Sequence, residues 1–246
     1  MTLDPRRALI DAWALFRRER GLLLPIAGLF LFLPQLAQLL LLPEVPELPA
    51  DRTPEALAAW FQGSYTAWAT ITGPWILLGY LLVLFGSAAM LALFLDEGRL
   101  DVAGALRRAL GLAPRYLLAS ILIGIPVGIG SWLLVLPGIY LLGRLMLTGP
   151  AVMASPSLGA VRAAATSWRL TRGAQMATTA LAALAMLAAM LVPLPFLSMG
   201  SAMRASEGVN PVALAVLEVG AAAAITASVM ALLLVEVAVW RQLSRG

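Results

Sequence analysis

Six long apolar stretches, separated by polar segments, dominate the pattern of this 246-residue chain. An α-helix needs about 20 consecutive apolar residues to cross the hydrocarbon core of a bilayer, and most of the stretches reach that length. The predicted spans are Gly21–Leu42, Trp68–Leu95, Arg115–Leu136, Ile139–Ala154, Gln175–Met199 and Val212–Trp240. The pattern therefore predicts an all-α polytopic membrane helix bundle with six transmembrane helices.

Three basic segments precede pairs of these spans, and each is predicted to form an amphipathic helix on the cytoplasmic membrane surface. The segments are Asp4–Arg20, Asp96–Pro114 and Ser155–Gly173. In the second segment, Val102, Leu106 and Leu110 recur every four positions and are predicted to share one apolar face, with Arg107 and Arg108 off that face. For the first segment, a simple cytoplasmic lead-in without membrane contact is the alternative.

The three basic segments also share a short alanine pattern. It appears as Ala8-Leu9-x-x-Ala12, Ala105-Leu106-x-x-Ala109 and Ala160-Val161-x-x-Ala164. Because each copy precedes an apolar hairpin, we interpret the chain as three repeats of a surface helix followed by two spans. The repeats approximate residues 1–95, 96–154 and 155–246 of one integral membrane domain. Alanine is abundant in this chain, so composition alone is the alternative explanation.

Glycine and proline mark two special places in the central part of the chain. Pro137-Gly138 is predicted to form the tight turn between spans three and four. Within span three, Pro126 is predicted to introduce a kink, and the spacing of Gly124 and Gly128 permits close contact between helices. A Gly/Pro interruption is also typical of the discontinuous helices of transporters, which stays open as an alternative.

The composition excludes several kinds of chemistry. Only 12% of the residues are charged, whereas soluble domains carry roughly 25%. Cysteine and histidine are both absent, which removes thiol chemistry, disulfides, the usual zinc and haem ligands and imidazole catalysis. An intramembrane hydrolase needs a Ser/His, two-aspartate or metal centre, and no span supplies one. We therefore expect neither an enzyme nor a cofactor.

All 17 basic residues are arginine, and their distribution predicts the orientation of the chain. Fourteen lie before span one, after spans two and four, or after span six, while only Arg52 and Arg204 lie on the other side. By the positive-inside rule, we predict that both termini lie in the cytoplasm. We expect the membrane to be a bacterial inner membrane. The same rule explains the sequence pI near 10.3, so no nucleic-acid partner is expected.

A cleaved signal peptide is the alternative for the first apolar stretch, because basic residues precede it. The stretch is too long for a typical signal-peptide core, and it stops at a proline cluster without a clear small-x-small cleavage site. We therefore interpret it as an uncleaved span.

Three charged residues fall inside the predicted spans: Arg144, Glu218 and Glu236. Each costs about 2.5–3.5 kcal/mol at the centre of a membrane helix, so each should face protein or water. Arg144 and Glu218 both lie about 10 Å from the outer ends of their spans, counted at 1.5 Å per residue, and this equal depth predicts a salt bridge. In the alternative, Arg144 extends outward alone and Glu218 is protonated.

Glu236 lies eighteen residues after Glu218, which is five helical turns, so the two glutamates are predicted to form a polar face on span six. The distance between them is about 27 Å. A proton or ion relay along this face is less favoured than a structural ion pair, because no further ionisable residue continues the path between them.

The run Leu136–Arg144, which reads LPGIYLLGR, resembles a known pattern when taken with Ala160-Val161 and with Ser167–Gly173, which reads SWRLTRG. It is similar to the membrane domain found beside some glycerophosphoryl diester phosphodiesterases and to related six-span bacterial inner-membrane proteins. The close resemblance covers roughly Leu136 to Gly173. In those enzymes a separate soluble barrel with histidines and acidic metal ligands performs catalysis, so the resemblance implies the membrane fold without the activity.

These observations favour a non-catalytic integral membrane protein that organises lipids or a membrane partner protein. The predicted contacts with anionic lipids are Arg107, Arg108, Arg169 and Arg172, which lie in the second and third basic segments. A transporter or channel for a small solute or ion is the alternative; it would use the kinked span three and the polar face of span six.

Overall fold

The computed structural model describes residues 3–95, 100–155, 157–206, 208 and 210–244, with the side chain of Leu133 excepted. Within these residues the regular structure is entirely helical. Six helical stretches are long and apolar enough to cross a membrane. The predicted all-α bundle with six apolar spans is therefore confirmed.

Eleven α-helices form the bundle across the described part of the chain. They are α1 (Pro5–Ala27), α2 (Leu33–Leu41), α3 (Pro54–Trp60), α4 (Thr66–Leu95), α5 (Val102–Leu133), α6 (Val135–Leu145), α7 (Thr148–Ala154), α8 (Ala160–Leu170), α9 (Gln175–Leu191), α10 (Leu194–Arg204) and α11 (Pro211–Ser244). Wider π-helical turns join α1 to α2 and α3 to α4, so each of these pairs is one continuous helical stretch.

The first basic segment is not a separate surface helix. The side chain of Asp4 accepts hydrogen bonds from the backbone N–H groups of Arg6 and Arg7, which caps α1 as expected. The helix then continues past Arg20 and Gly21 without a break. A change from polar to apolar side chains marks where a helix enters a membrane, but arginine is a good helix former and does not end one.

The second basic segment also continues directly into its span, because α5 runs through Pro114 to Leu133. Its buried face is formed by Ala105, Ala109 and Leu112, whereas Leu110 is exposed. Val102 and Leu106 are partly buried and pack against the core, so the predicted face departs from the buried one at Leu110. Small alanine side chains let neighbouring helices approach closely, and this packing decides which face is buried.

Only the third basic segment forms a helix of its own, α8, which ends in a 3-10 turn at Thr171–Gly173. The repeat of a separate surface helix before each hairpin therefore does not hold for the first two segments. The shared alanines nevertheless have a common role, since Ala8, Ala12, Ala105, Ala109 and Ala160 are all buried, while Ala164 is partly buried.

The turn between spans three and four is at Leu134, not at Pro137-Gly138. Helix α5 ends at Leu133 and α6 begins at Val135, with Leu134 in an extended conformation between them. Proline is tolerated in the first turn of a helix, where its missing N–H has no partner to lose, so α6 can begin before Pro137. Gly138 lies inside α6, where an added Cβ would stand 2.6 Å from the backbone nitrogen of Ser131.

Gly124 and Gly128 of span three do not mediate helix contact among the described residues. An added Cβ at Gly124 or Gly128 would meet no atom within 4 Å among the described residues. Close approach occurs instead at Gly130, where an added Cβ would lie 3.1 Å from the backbone nitrogen of Gly138. Helix α5 is also continuous through Pro126, so it is not a discontinuous helix.

The bundle has two distinct ends. At the termini end, the side chain of Gln242 contacts Asp11 at 3.4 Å, and Arg241 donates to the carbonyl of Phe94 at 3.0 Å. At the opposite, far end, the indole N–H of Trp68 donates to the carbonyl of Pro43 at 2.9 Å. These contacts join the start of α1 to the end of α11, and the end of α2 to the start of α4.

Burial changes along the bundle between these ends. Residues 86–92 of α4 are all buried, so neighbouring helices surround α4 near the termini end. Nearer the far end, large apolar side chains point outward from several helices. This apolar belt includes Leu29, Leu33, Ile71, Leu77, Ile125, Leu187 and Val216. Outward-facing apolar side chains in a band are expected where lipid, rather than water, surrounds a protein.

Candidate functional site

A buried arginine lies where span four breaks. Helix α6 ends at Leu145 and α7 begins at Thr148, so a short turn interrupts the span immediately after Arg144. Arg144 is only 2% exposed. Its Nη2 donates to the backbone carbonyl of Trp168 at 2.7 Å, which ties α6 to the last turn of α8.

The indole ring of Trp168 covers the Arg144 guanidinium. The guanidinium carbon lies 4.3 Å from the ring centroid, within the range of a cation–π interaction. Tyr140 packs edge-on against the same ring, with centroids 6.4 Å apart. Nε and Nη1 of Arg144 are buried and form no hydrogen bond within the described part of the chain. The negative face of the indole ring therefore supplies much of the electrostatic compensation for this charge.

Hydroxyl groups of α8 satisfy the backbone groups that the break in span four leaves open. The Ser167 hydroxyl donates to the carbonyl of Arg144 at 2.8 Å and accepts from the N–H of Leu147 at 3.1 Å. In the 3-10 turn after α8, the Thr171 hydroxyl donates to the Ser167 carbonyl at 2.8 Å and also lies 3.3 Å from the Arg144 carbonyl. Because unpaired backbone groups are costly in an apolar environment, these contacts hold the broken helix in place. We call Arg144, Ser167, Trp168 and Thr171 the arginine lock.

The predicted salt bridge between Arg144 and Glu218 does not form. Arg144 contacts Trp168, whereas the Glu218 carboxylate pairs with Arg204. Helix α6 packs chiefly against α5 and α9, while α11 packs chiefly against α1, α10 and α2. Counting residues gave both charges a similar depth, but depth does not determine which helices are neighbours around the bundle.

Arg204 connects three parts of the chain at the far end. Its Nη2 donates to the carboxylate of Glu218, and its Nη1 donates to that of Glu44 at 2.7 Å. The backbone carbonyl of Leu39 lies 3.5 Å from Nη2. The Glu218 side chain is 6% exposed, whereas that of Glu44 is 61% exposed. The contact with Glu218 is therefore the shielded part of this far-end ion cluster, and Glu44 forms its solvent-facing part.

The sequence contained a signal for the ion pair of Arg204 with Glu218, which the count of residues from the span ends did not use. Arg204 and Glu218 lie seven positions before and after Pro211, where α11 begins. Side chains at equal distances from the connection of a helical hairpin face one another more readily than side chains on helices that are distant in the chain. Arg204 lies between the predicted spans five and six in the sequence, and in the structure it belongs to the last turn of α10.

Glu236 has a different environment from Glu218. It is partly buried on α11, nearer to the termini end. No arginine or lysine side chain of the described residues lies within 4.0 Å of its carboxylate, in contrast to Glu218. The proposed polar face of α11 therefore consists of one neutralised carboxylate and one without an ion-pair partner in the described chain.

The four arginines predicted to contact lipid are not equivalent. Arg107, Arg169 and Arg172 are exposed. Arg108 is partly buried, and its Nη2 donates to the carbonyl of Met153 at 2.9 Å. A cation at this place satisfies a carbonyl at the end of α7 and interacts favourably with the helix dipole. The structure thus gives Arg108 a role within the bundle.

A polar crevice of about 710 Å³ separates α1 from α11 at the termini end. Its charged lining residues are Asp4, Arg7, Asp11, Arg18 and Arg241. Asp4 caps α1, Asp11 lies 4.0 Å from Arg7, and Arg18 pairs with Glu19 at 2.8 Å. Because acidic groups already accompany these arginines, the crevice is a poor candidate for binding an anion.

Comparisons with protein-family models, with curated proteins and with solved structures find no match to this chain. The class of protein therefore follows from the fold itself. In the residues that the structure describes, it is an all-α helical bundle with six helical stretches that are long and apolar enough to cross a membrane, as in a multi-pass membrane protein.

Proposed function

We propose that this chain is a non-catalytic protein of the bacterial inner membrane that holds lipids against its surface, with anionic lipids at the termini end. One observation carries the proposal: each of the three basic segments has an exposed large apolar side chain near exposed arginines. Ile10, Leu110 and Val161 are 58%, 67% and 69% exposed. Their exposed neighbours are Arg6, Arg17, Arg107, Arg162 and Arg169.

This combination suits the surface of an anionic leaflet. An exposed apolar side chain gains by entering the boundary between headgroups and acyl chains, while arginine interacts with the headgroup phosphates. Each arginine near an anionic surface contributes roughly 1 kcal/mol. Both termini and all three basic segments then face the cytoplasm, the side to which the positive-inside rule assigns them. The resemblance to membrane domains beside glycerophosphoryl diester phosphodiesterases agrees with a supporting role in the membrane.

Lipid retention by the purified protein tests this proposal. The variant with Arg107→Gln, Arg169→Gln and Arg172→Gln removes three exposed charges, and native mass spectrometry should show that it retains less anionic lipid than the wild type. Arg52→Gln is the control, because Arg52 is exposed at the far end. Equal retention of anionic lipid by the wild type and the triple variant would contradict the proposal.

A transporter or channel for a small solute or ion stays the alternative, and it has less support. Helix α5 is continuous, and Glu218 is neutralised by Arg204. Flux of ions or small solutes into proteoliposomes distinguishes the two functions. We expect no flux above that of protein-free liposomes, and flux that depends on Glu236 would favour the alternative.

A further inference from the structure

An apolar groove of about 440 Å³ runs between α2 and α4 within the apolar belt. Its walls include Ala37 and Leu41 of α2 and Trp75, Leu78 and Leu82 of α4. Trp75 and Leu41 are among the most exposed large apolar residues of these two helices. The groove is therefore open at the side that faces outward from the bundle.

The amide side chain of Gln38 is held in the wall of the groove. The amide nitrogen of Gln38 lies 3.4 Å from the backbone carbonyls of both Trp75 and Ile76. Gly79 makes this position possible, because an added Cβ there would collide with the Gln38 amide. The amide is thus directed at the backbone of α4, and the remaining surface of the groove is hydrocarbon and indole.

The position of the groove identifies its occupant. Both of its walls belong to helical stretches that are long and apolar enough to cross a bilayer. In a membrane, the medium beside such helices is lipid, so an outward-facing apolar groove is filled by an acyl chain. The flexible, unbranched shape of an acyl chain suits a groove that runs along two neighbouring helices.

The charges at the end of the groove select the headgroup. Leu42 lines the groove and directly precedes the acidic segment of residues 43–55. This segment exposes four carboxylates and one guanidinium: Glu44, Glu47, Asp51, Glu55 and Arg52. Trp68 fixes the start of the segment beside α4 through its hydrogen bond to Pro43. A lipid whose chain lies in the groove therefore presents its headgroup to a surface with excess negative charge.

We propose that the groove binds one acyl chain of a phospholipid whose headgroup carries an amine. The ammonium group lies against the acidic segment, which repels a purely anionic headgroup. This inference rests on the proposed lipid-holding function, but it concerns the opposite end of the bundle and a different class of lipid. The two ends of the protein thus select different lipids.

Photo-crosslinking tests whether a lipid acyl chain lies in the groove. The probe is a phosphatidylethanolamine with a diazirine on one acyl chain, reconstituted with the full-length protein, and peptides are identified by mass spectrometry. We expect cross-links to concentrate on residues 34–42 and 75–82. Ala37→Phe fills the groove from an exposed position and should reduce them about tenfold, because excluding even two methylenes removes that much affinity.

Ala189→Phe is the matched control, since Ala189 is an exposed alanine on α9, outside the groove. It should leave the cross-links at residues 34–42 and 75–82 unchanged. Cross-links spread evenly over the apolar belt and insensitive to Ala37→Phe would overturn the proposal, because they would show ordinary surrounding lipid only.

A second probe tests the headgroup. A phosphatidylglycerol with the same photoreactive chain should label the groove less than the phosphatidylethanolamine does. The variant Glu47→Gln, Asp51→Asn and Glu55→Gln removes three carboxylates and leaves the pair of Glu44 with Arg204 intact, so the preference should disappear. Equal labelling of the wild type by both probes contradicts the headgroup assignment. Loss of anionic lipid in the separate arginine variant would still support the proposed function, so the two failures are distinguishable.

Discussion

Arg144 and Trp168 are joined twice, through a hydrogen bond of 2.7 Å to the Trp168 carbonyl and through the indole ring, whose centroid lies 4.3 Å from the guanidinium carbon. The two residues are 24 positions apart in the chain. They belong to the two ends of the sequence pattern formed by residues 136–144 and 167–173. The arginine lock gives this pattern a structural role, because its contacts hold the two parts of the broken span four in place.

A double-mutant cycle measures this contact. Arg144→Ala and Trp168→Ala should each lower the melting temperature in detergent, and the double variant should lose less than the sum. We expect a coupling free energy of about 0.5–2 kcal/mol, the range of a shielded cation–π contact. The cycle of Arg144→Ala with Glu218→Ala is the control, and its effects should add. Strong coupling in that control cycle would show that the two charges interact after all.

The far-end ion cluster predicts unequal effects of its two carboxylates. Glu218→Gln leaves Arg204 without its shielded partner, and breaking a buried ion pair typically costs about 3–5 kcal/mol. Glu44→Gln removes an exposed partner, for which about 0–1 kcal/mol is typical. Because Arg204 is partly exposed, we expect the loss for Glu218→Gln to fall at or below the lower end of its range. Thermal unfolding in detergent measures both, and a larger loss for Glu44→Gln would contradict the assignment.

Glycines in α5 and α6 provide a matched test of the packing. An added Cβ at Gly143 would lie 2.7 Å from the Cα of Thr179, so Gly143→Ala should destabilise the bundle by about 1–3 kcal/mol. Gly124→Ala and Gly128→Ala meet open space and should be neutral or stabilise by up to about 1 kcal/mol. Unfolding by heat of the three variants compares them directly. Destabilisation by Gly128→Ala with no effect of Gly143→Ala would contradict both the close contact of α6 with α9 at Gly143 and the open surroundings of Gly128.

The sequence was sufficient to predict the six spans, because the length and hydropathy of a membrane helix are local properties of the chain. Helix ends were less predictable. Arg20 and Gly21 mark a change of polarity, and Pro114 marks a change of composition, yet the helices continue through both places. Backbone hydrogen bonding and packing determine where a helix stops, and neither follows from polarity alone.

Contacts between distant helices were the least predictable part of the candidate site. Sequence spacing placed Arg144 at a depth in the membrane, but the order of helices around the bundle determined that it meets α8 instead of α11. The contact between Arg204 and Glu218 was closer to being predictable, because one short connection joins their helices. The sequence shows the shared alanines only as a repeated pattern, and their burial in helix packing is a finding of the structure.

The orientation of the bundle decides whether the exposed arginines can meet an anionic cytoplasmic leaflet, and thiol labelling in intact cells tests it most directly. The chain has no cysteine, so an introduced thiol is the only one present. Ser64 lies at the far end and Ser157 in the connection from α7 to α8, and both are exposed. We predict that Ser64→Cys reacts with an impermeant thiol reagent from outside, whereas Ser157→Cys reacts only after the membrane is permeabilised. Labelling of Ser157→Cys from outside the intact cell would contradict the account.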